Sequence, residues 1–254
     1  MRLLAIAAVT LLPLAHAAAQ SPSPDAYRVT FDYHFAGPQG GVGRRERVTG
    51  TYTVDAPRGT ATWTGVSVAP GEALDAFGPA APRAFMEHFA YPVRVPPEAM
   101  LGPDFFGEVP VTAVQERNLV IDTRMFEMFA DELDRLRPGV PYAFGTNREI
   151  TIDSWGTFTN RDLKLTLTGT AMRNGEDCAV IDYLALFNRV DLTLPGFKLV
   201  GRSHYWGQVW VARRGRRLEH ATLYEDVLGE VTQGAGEPAP MNVFRVGTLE
   251  RAAR

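Results

Sequence analysis

"DLKLTLTGTAMRNGEDCAVIDYLALF", residues 162–187, decides the fold. Two runs dense in β-branched and other apolar residues flank "RNGED", where Asn174-Gly175 supplies the positive φ values that a tight hairpin requires. A second hairpin follows: "YWGQVWVA" (205–212), a turn "RRGRR" around Gly215, and "LEHATLYEDVL" (218–228). Together they predict a four-strand antiparallel meander over about residues 155–231. Toward the N-terminus, "YRVTFDYHF" (27–35), "RRERVTGTYTV" (44–54) and "TATWTGVSVA" (60–69) are separated by "AGPQGGVG" and "DAPRG". They predict a three-strand meander.

Prolines break the segment between the meanders, "GPAAPRAFMEHFAYPVRVPPEAMLGPDFFGEVP" (78–110), too often for central strands or one long helix. Loops, a short helix near Arg83 to Phe89 and short edge pieces are expected there. "DTRMFEMFADELDRLRPG" (122–139) predicts the one helix, with Met125, Phe126, Phe129, Leu133 and Leu136 at helical spacing, Asp122 or Thr123 as cap, and Pro138-Gly139 as stop. "TQGAGEPAP" (232–240) resembles a linker, and "MNVFRVGTLERAAR" after it an edge strand or frayed tail. The expected fold is therefore mainly β: a curved antiparallel sheet of two meanders packed against a helix near 123–137, with a half-barrel as its curved extreme. Residues 20–231 form a single domain, and 232–254 a linker with a C-terminal tail or edge strand.

Residues 1–19, "MRLLAIAAVTLLPLAHAAA", combine Arg2, an apolar run too short to span a bilayer and a small-residue A-x-A site, the pattern of a secretory signal peptide. The expected protein is exported, periplasmic or extracellular, and not transmembrane. Net charge is −3, and one unit more negative without Arg2, which argues against a nucleic-acid partner. The lone Cys178 cannot form an internal disulfide, and its apolar context "DCAVIDYLAL" predicts a buried thiol.

In the second hairpin, strand alternation puts Trp206, Gln208, Trp210, Ala212, Leu218, His220, Thr222 and Tyr224 on one face. Tyr205, Gly207, Val209, Val211, Glu219, Ala221, Leu223, Glu225 and Val227 share the other. Neither face is cleanly polar, so the hairpin is expected to be covered on both sides or to line a cleft with one. The aromatic face, with polar tips on its rings, suits an apolar ligand fixed by a few hydrogen bonds. Seven Phe and four Met fall between residues 77 and 129, where prolines prevent regular structure, and these soft groups either plug the concave side of the sheet or form a lid over it. The candidate ligand-binding residues are therefore Trp206, Trp210, Tyr224 and His220 from the hairpin, closed over by Phe85, Phe89, Phe105 and Phe106.

Other chemistry finds no motif. His204, His220, Glu225 and Asp226 are metal-ligand types without ligand spacing, and Glu219, Glu225 and Asp226 read as a solvated strand edge. No nucleophile elbow, P-loop or dinucleotide fingerprint occurs. The arginines around Gly215 read as a solvated turn that discourages edge pairing. No catalytic residue, metal or cofactor is assigned. At the level of architecture alone, a leader followed by a long curved sheet and one helix is similar to exported lipoprotein carriers and related envelope proteins. The expected function is non-catalytic binding or carrying of an apolar, lipid-like ligand in the cell envelope. The alternatives are an envelope assembly module acting on a protein partner through sheet edges, and a hydrolase or metalloenzyme using chain-distant residues.

Overall fold

A computed structural model describes residues 24–36, 41–73, 76–102, 104–145, 148–152 and 155–252. The leader assigned to residues 1–19 lies outside them.

Three long strands open the chain, β1 (Asp25–Ala36), β2 (Val42–Asp55) and β3 (Thr60–Ala73). The proline-broken segment adds β4 (Ala76–Phe77), β5 (Ala81–Pro82), β6 (Phe89–Pro92) and a one-turn helix α1 (Pro97–Met100). After the main helix α2 (Val114–Asp131) come β7 (Tyr142–Ala143), β8 (Arg148–Ile152) and β9 (Gly156–Asn160). The long strands β10 (Asp162–Arg173), β11 (Glu176–Leu194), β12 (Phe197–Ala212), β13 (Leu218–Gln233) and β14 (Ala239–Arg251) complete it. The sheet is open, and its strands follow the order β4-β3-β2-β1-β14-β13-β12-β11-β10-β7, with every pairing antiparallel.

Both meanders form as expected, and Asn174 and Gly175 turn the β10–β11 hairpin at φ values of 50° and 77°. The C-terminal segment does not behave as a tail or an edge. β14 lies at the centre, paired with β1 from Tyr27↔Arg251 to Ala36↔Asn242 and with β13 on its other side. It joins the two meanders into one sheet. Its inward residues, Val243, Arg245, Gly247 and Leu249, are all buried. The charge at Arg245 and the missing side chain at Gly247 hide the alternation that would mark a central strand.

The helix also departs from expectation. α2 begins at Val114, eight residues before the anticipated cap, and Ala113 at its N-cap makes no side-chain hydrogen bond. Asp122 and Thr123 are not caps; both are buried in mid-helix. The early turns escaped notice because "VQERNL" shows no clear apolar stripe, yet Glu116, Arg117, Leu119 and Val120 are all buried. This helix lies in the concavity of the sheet, and so it is covered on more than one side.

At one end the concavity is dry. Tyr27, Val29 and Phe31 of β1, Tyr52 of β2, Trp63 of β3 and Ile181 and Tyr183 of β11 pack with Leu119, Phe126 and Phe129 of α2. Each large apolar side chain buried there contributes about 1.5–3 kcal/mol. Two glycines permit the fit. A Cβ on Gly247 would overlap the Phe31 ring, and a Cβ on Gly207 would meet Tyr183, whose hydroxyl donates to the Thr222 carbonyl at 2.6 Å. Cys178 is a free, fully buried thiol, and burial raises its pKa.

Removing residues 239–254 should therefore abolish cooperative unfolding, because both β1 and β13 lose a hydrogen-bonded neighbour, whereas removing 252–254 should leave the urea midpoint nearly unchanged. Circular dichroism during urea titration checks this; similar curves for the two truncations would mean that β14 is dispensable.

Candidate functional site

One row of residues crosses the concave face in register. Glu46 of β2 pairs with Tyr33 of β1, Tyr33 with Arg245 of β14, Arg245 with Glu225 of β13, and Glu225 with Tyr205 of β12. All five carry polar groups. The neighbouring row on one side, Phe31, Gly247, Leu223, Gly207 and Tyr183, belongs to the dry end of the core. On the other side run Phe35, Val243, Val227, Ser203 and Asn188.

The helix answers this polar row with polar residues of its own. Gln115 donates to Glu46 at 2.9 Å, Asn118 lies beside the Tyr33 hydroxyl, and Asp122 accepts from Arg245 Nη1 at 2.8 Å. Their spacing of three and four residues places them on one helical face. Arg245 also donates through Nε to Glu225 Oε2 at 2.5 Å, and the other oxygen of Glu225 accepts from Ser203 Oγ at 2.5 Å. Asp122, Glu225 and Arg245 are each less than a tenth exposed. A buried guanidinium is costly to desolvate, but two carboxylates compensate this one. Burial raises Asp122 from 3.8 to about 6 despite the attraction of Arg245, and lifts Tyr33 to about 12.

Beyond this seam, away from the dry core, the concavity stays open as a cavity of about 1680 Å³. Val114, Asn118, Ile121, Met125 and Met128 of α2 form one wall. The far halves of β11 to β14 supply Val190, Leu192, Phe197, Leu199, Val227, Met241 and Val243. Phe35, Phe158 and Trp155 complete a mostly apolar lining, and Tyr33, Asp122, Tyr205, Glu225 and Arg245 form its polar floor. Exposed Arg44, Arg148, Glu149 and Glu237 stand at the rim. The space exists because β11 changes partners. Its first part pairs with β10, whereas Arg189 to Leu192, beyond an irregularity at positive-φ Phe187, pair with β9 instead.

The residues expected to bind a ligand lie elsewhere. Trp206, Trp210, Tyr224 and His220 belong to the face opposite the cavity, the convex side of the sheet. Trp206 and Tyr224 stack on each other with ring centroids 5.9 Å apart and are each 37 % exposed. Trp210 donates to Gln208 Oε1, and His220 contacts the Leu249 carbonyl oxygen at 3.1 Å. The division of the hairpin into two faces is correct, but the inward face is the one bearing Tyr205, Leu223, Glu225 and Val227. Aromatic content did not mark the concave side, because ring pairs on a convex sheet stabilise cross-strand contacts while staying wet. Glu219 and Glu225 are consequently buried and do not form a solvated edge.

Phe85 is largely exposed, and Phe89, Phe105 and Phe106 pack on one another and on Tyr91 at centroid distances of 5.0–5.8 Å. They plug the core beside β3 and none lines the large cavity. Three of the four methionines of the same region do reach it: Met100, Met125 and Met128 are in its wall, whereas Met86 is in the core. Arg213, Arg216 and Arg217 of the arginine turn pair with Asp177, Asp134 and Glu176.

No protein-family model and no curated protein matches the chain. Among solved structures the chain is similar to one titled "Lipid-protein interactions in lipovitellin", with a TM-score of 0.39 and 12 % identity over 92 % of this chain. The match covers 25 % of that structure's chain. At that distance the likeness bears on neither fold nor function. Among the described residues, no helix is long and apolar enough to cross a membrane.

Asp122 sets a pH dependence. Its unfolded pKa is near 3.8 and its folded value about 6, so the folded state binds the proton more tightly, and stability falls as pH rises from about 3 to about 7 and then levels off. Asp122→Asn cannot titrate. Its stability relative to the unsubstituted protein should rise by about 3 kcal/mol across that window, at 1.36 kcal/mol per pKa unit, whatever constant offset the weakened Arg245 contact adds. Urea midpoints measured at both ends of the window check this; a pH-independent difference would show that Asp122 titrates normally.

Proposed function

We propose that this chain is an exported, non-catalytic binder of an apolar ligand of lipid size, held in the cavity between α2 and the far halves of β11 to β14. The supporting observation is the cavity itself. At about 1680 Å³ it exceeds the roughly 300–1,000 Å³ of clefts that hold drug-sized molecules, and its walls are mostly aliphatic and aromatic. Each methylene transferred into it contributes about 0.8 kcal/mol, so an acyl chain can reach micromolar affinity after ordering costs. Met125 and Met128 in the wall adapt to ligands of varied shape. Export rests on the leader pattern of residues 1–19. Interaction through sheet edges has less support, because β4, β5 and β6 cover the β3 edge and β7 pairs with part of β10.

A neutral fluorescent fatty-acyl analogue should bind saturably and change the emission of Trp155 in the cavity wall. Ile121→Trp and Val227→Trp, which fill the cavity from opposite walls, should weaken binding about tenfold or more while leaving the unfolding midpoint nearly unchanged. Trp206→Ala should bind normally. Absence of saturable binding, or loss of binding in Trp206→Ala alone, would sink the cavity as the site.

The export reading has its own check: N-terminal sequencing of the protein recovered outside the cytoplasm should begin at Gln20, or at Ala18 if the earlier small-residue site is cut. Recovery with Met1 intact would overturn it.

A further inference from the structure

We infer that the ligand carries an uncharged polar head with a hydrogen-bond donor, an alcohol or amide group, that enters first and bonds to Asp122 at the cavity floor. This rests on the cavity being a ligand site and specifies which amphiphile it selects. The floor is not a receptor for acids. Its guanidinium, Arg245, already donates to Asp122, Glu225 and Tyr33. Arg124, which also lines the cavity, donates to the Val95 carbonyl and to Glu127. Two carboxylates against the one guanidinium of Arg245 leave the floor formally negative, so a ligand carboxylate or phosphate would meet like charge with the cation already committed.

Nor is the floor suited to a plain hydrocarbon. Glu225 is served at both oxygens, by Ser203 and by Arg245. Asp122 accepts from Arg245 through Oδ2, and a carboxylate has lone pairs for several further donors. An apolar chain that expelled water from this end would leave that acceptor capacity unmet, which is penalised in a low-dielectric site. A hydroxyl or amide N–H replaces the lost water without adding charge. The rim supports the same orientation: its two arginines, Arg44 and Arg148, are matched in number by Glu149 and Glu237, so the mouth offers no net cation for an acidic head.

The test displaces a neutral fluorescent acyl probe from the full protein with three ligands of equal chain length: dodecanol, its methyl ether and dodecanoate. Dodecanol should bind about tenfold tighter than the ether, the difference made by one donated hydrogen bond, and tighter than dodecanoate by at least as much. Asp122→Asn, if it folds, should narrow the gap between alcohol and acid by removing the opposing charge. Dodecanoate binding as well as dodecanol, or the ether matching the alcohol, would overturn the head-group inference and leave the apolar cavity standing. Failure of the neutral probe itself to bind would overturn both.

Discussion

Arg245 donates to Asp122 of α2 and Glu225 of β13 from its position on β14, and this buried three-residue contact ties the helix to the centre of the sheet. An isolated guanidinium could not be held there, and an isolated carboxylate would take up a proton instead. The contact therefore requires all three partners and the groups around them: Ser203 on Glu225 and Tyr33 beside Arg245. Polar residues on the buried face of α2 follow from this requirement. A wholly apolar helix would find no counterpart for the row that crosses the sheet.

The seam divides the interior into two parts with different packing. On one side small residues alternate with large ones across strands, as with Gly247 under Phe31 and Gly207 under Tyr183, and the space is filled. On the other side the strands run on past the helix's polar stripe, β11 exchanges β10 for β9, and aliphatic side chains face one another across a gap. The filled and the open parts thus lie at opposite ends of one concave surface.

Much of the sheet was legible in local signals. Asn174-Gly175, the alternation of Tyr27, Val29, Phe31 and Tyr33, and the two-faced hairpin around Gly215 each act over a few residues, so the sequence displays them directly. The rest depends on partners distant along the chain. Asp122, Glu225 and Arg245 look like three unrelated surface charges until the fold brings them together. Parity divided the 205–228 hairpin into its faces, but with large apolar groups on both it could not say which one turns inward, and the tryptophans misled. β14 was obscured by the linker-like "TQGAGEPAP" before it and by a charge and a glycine at two of its inward positions. The start of α2 was obscured because its partners are polar, and polar residues on a buried helix face imitate an exposed one.

The central position of the last strand has a kinetic consequence. Tyr27 pairs with Arg251, nearly the whole described chain away, so the closing contact of the sheet is one of the highest sequence separation the molecule contains. Each meander can form early from local hairpins, but the sheet stays divided, with β1 and β13 presenting bare edges, until β14 docks between them. A contact made so late carries a large loop-closure entropy and slows folding. During that interval the chain holds two unprotected strand edges that can pair with other molecules, and a holding chaperone that masks them would act on the species lacking only its final strand.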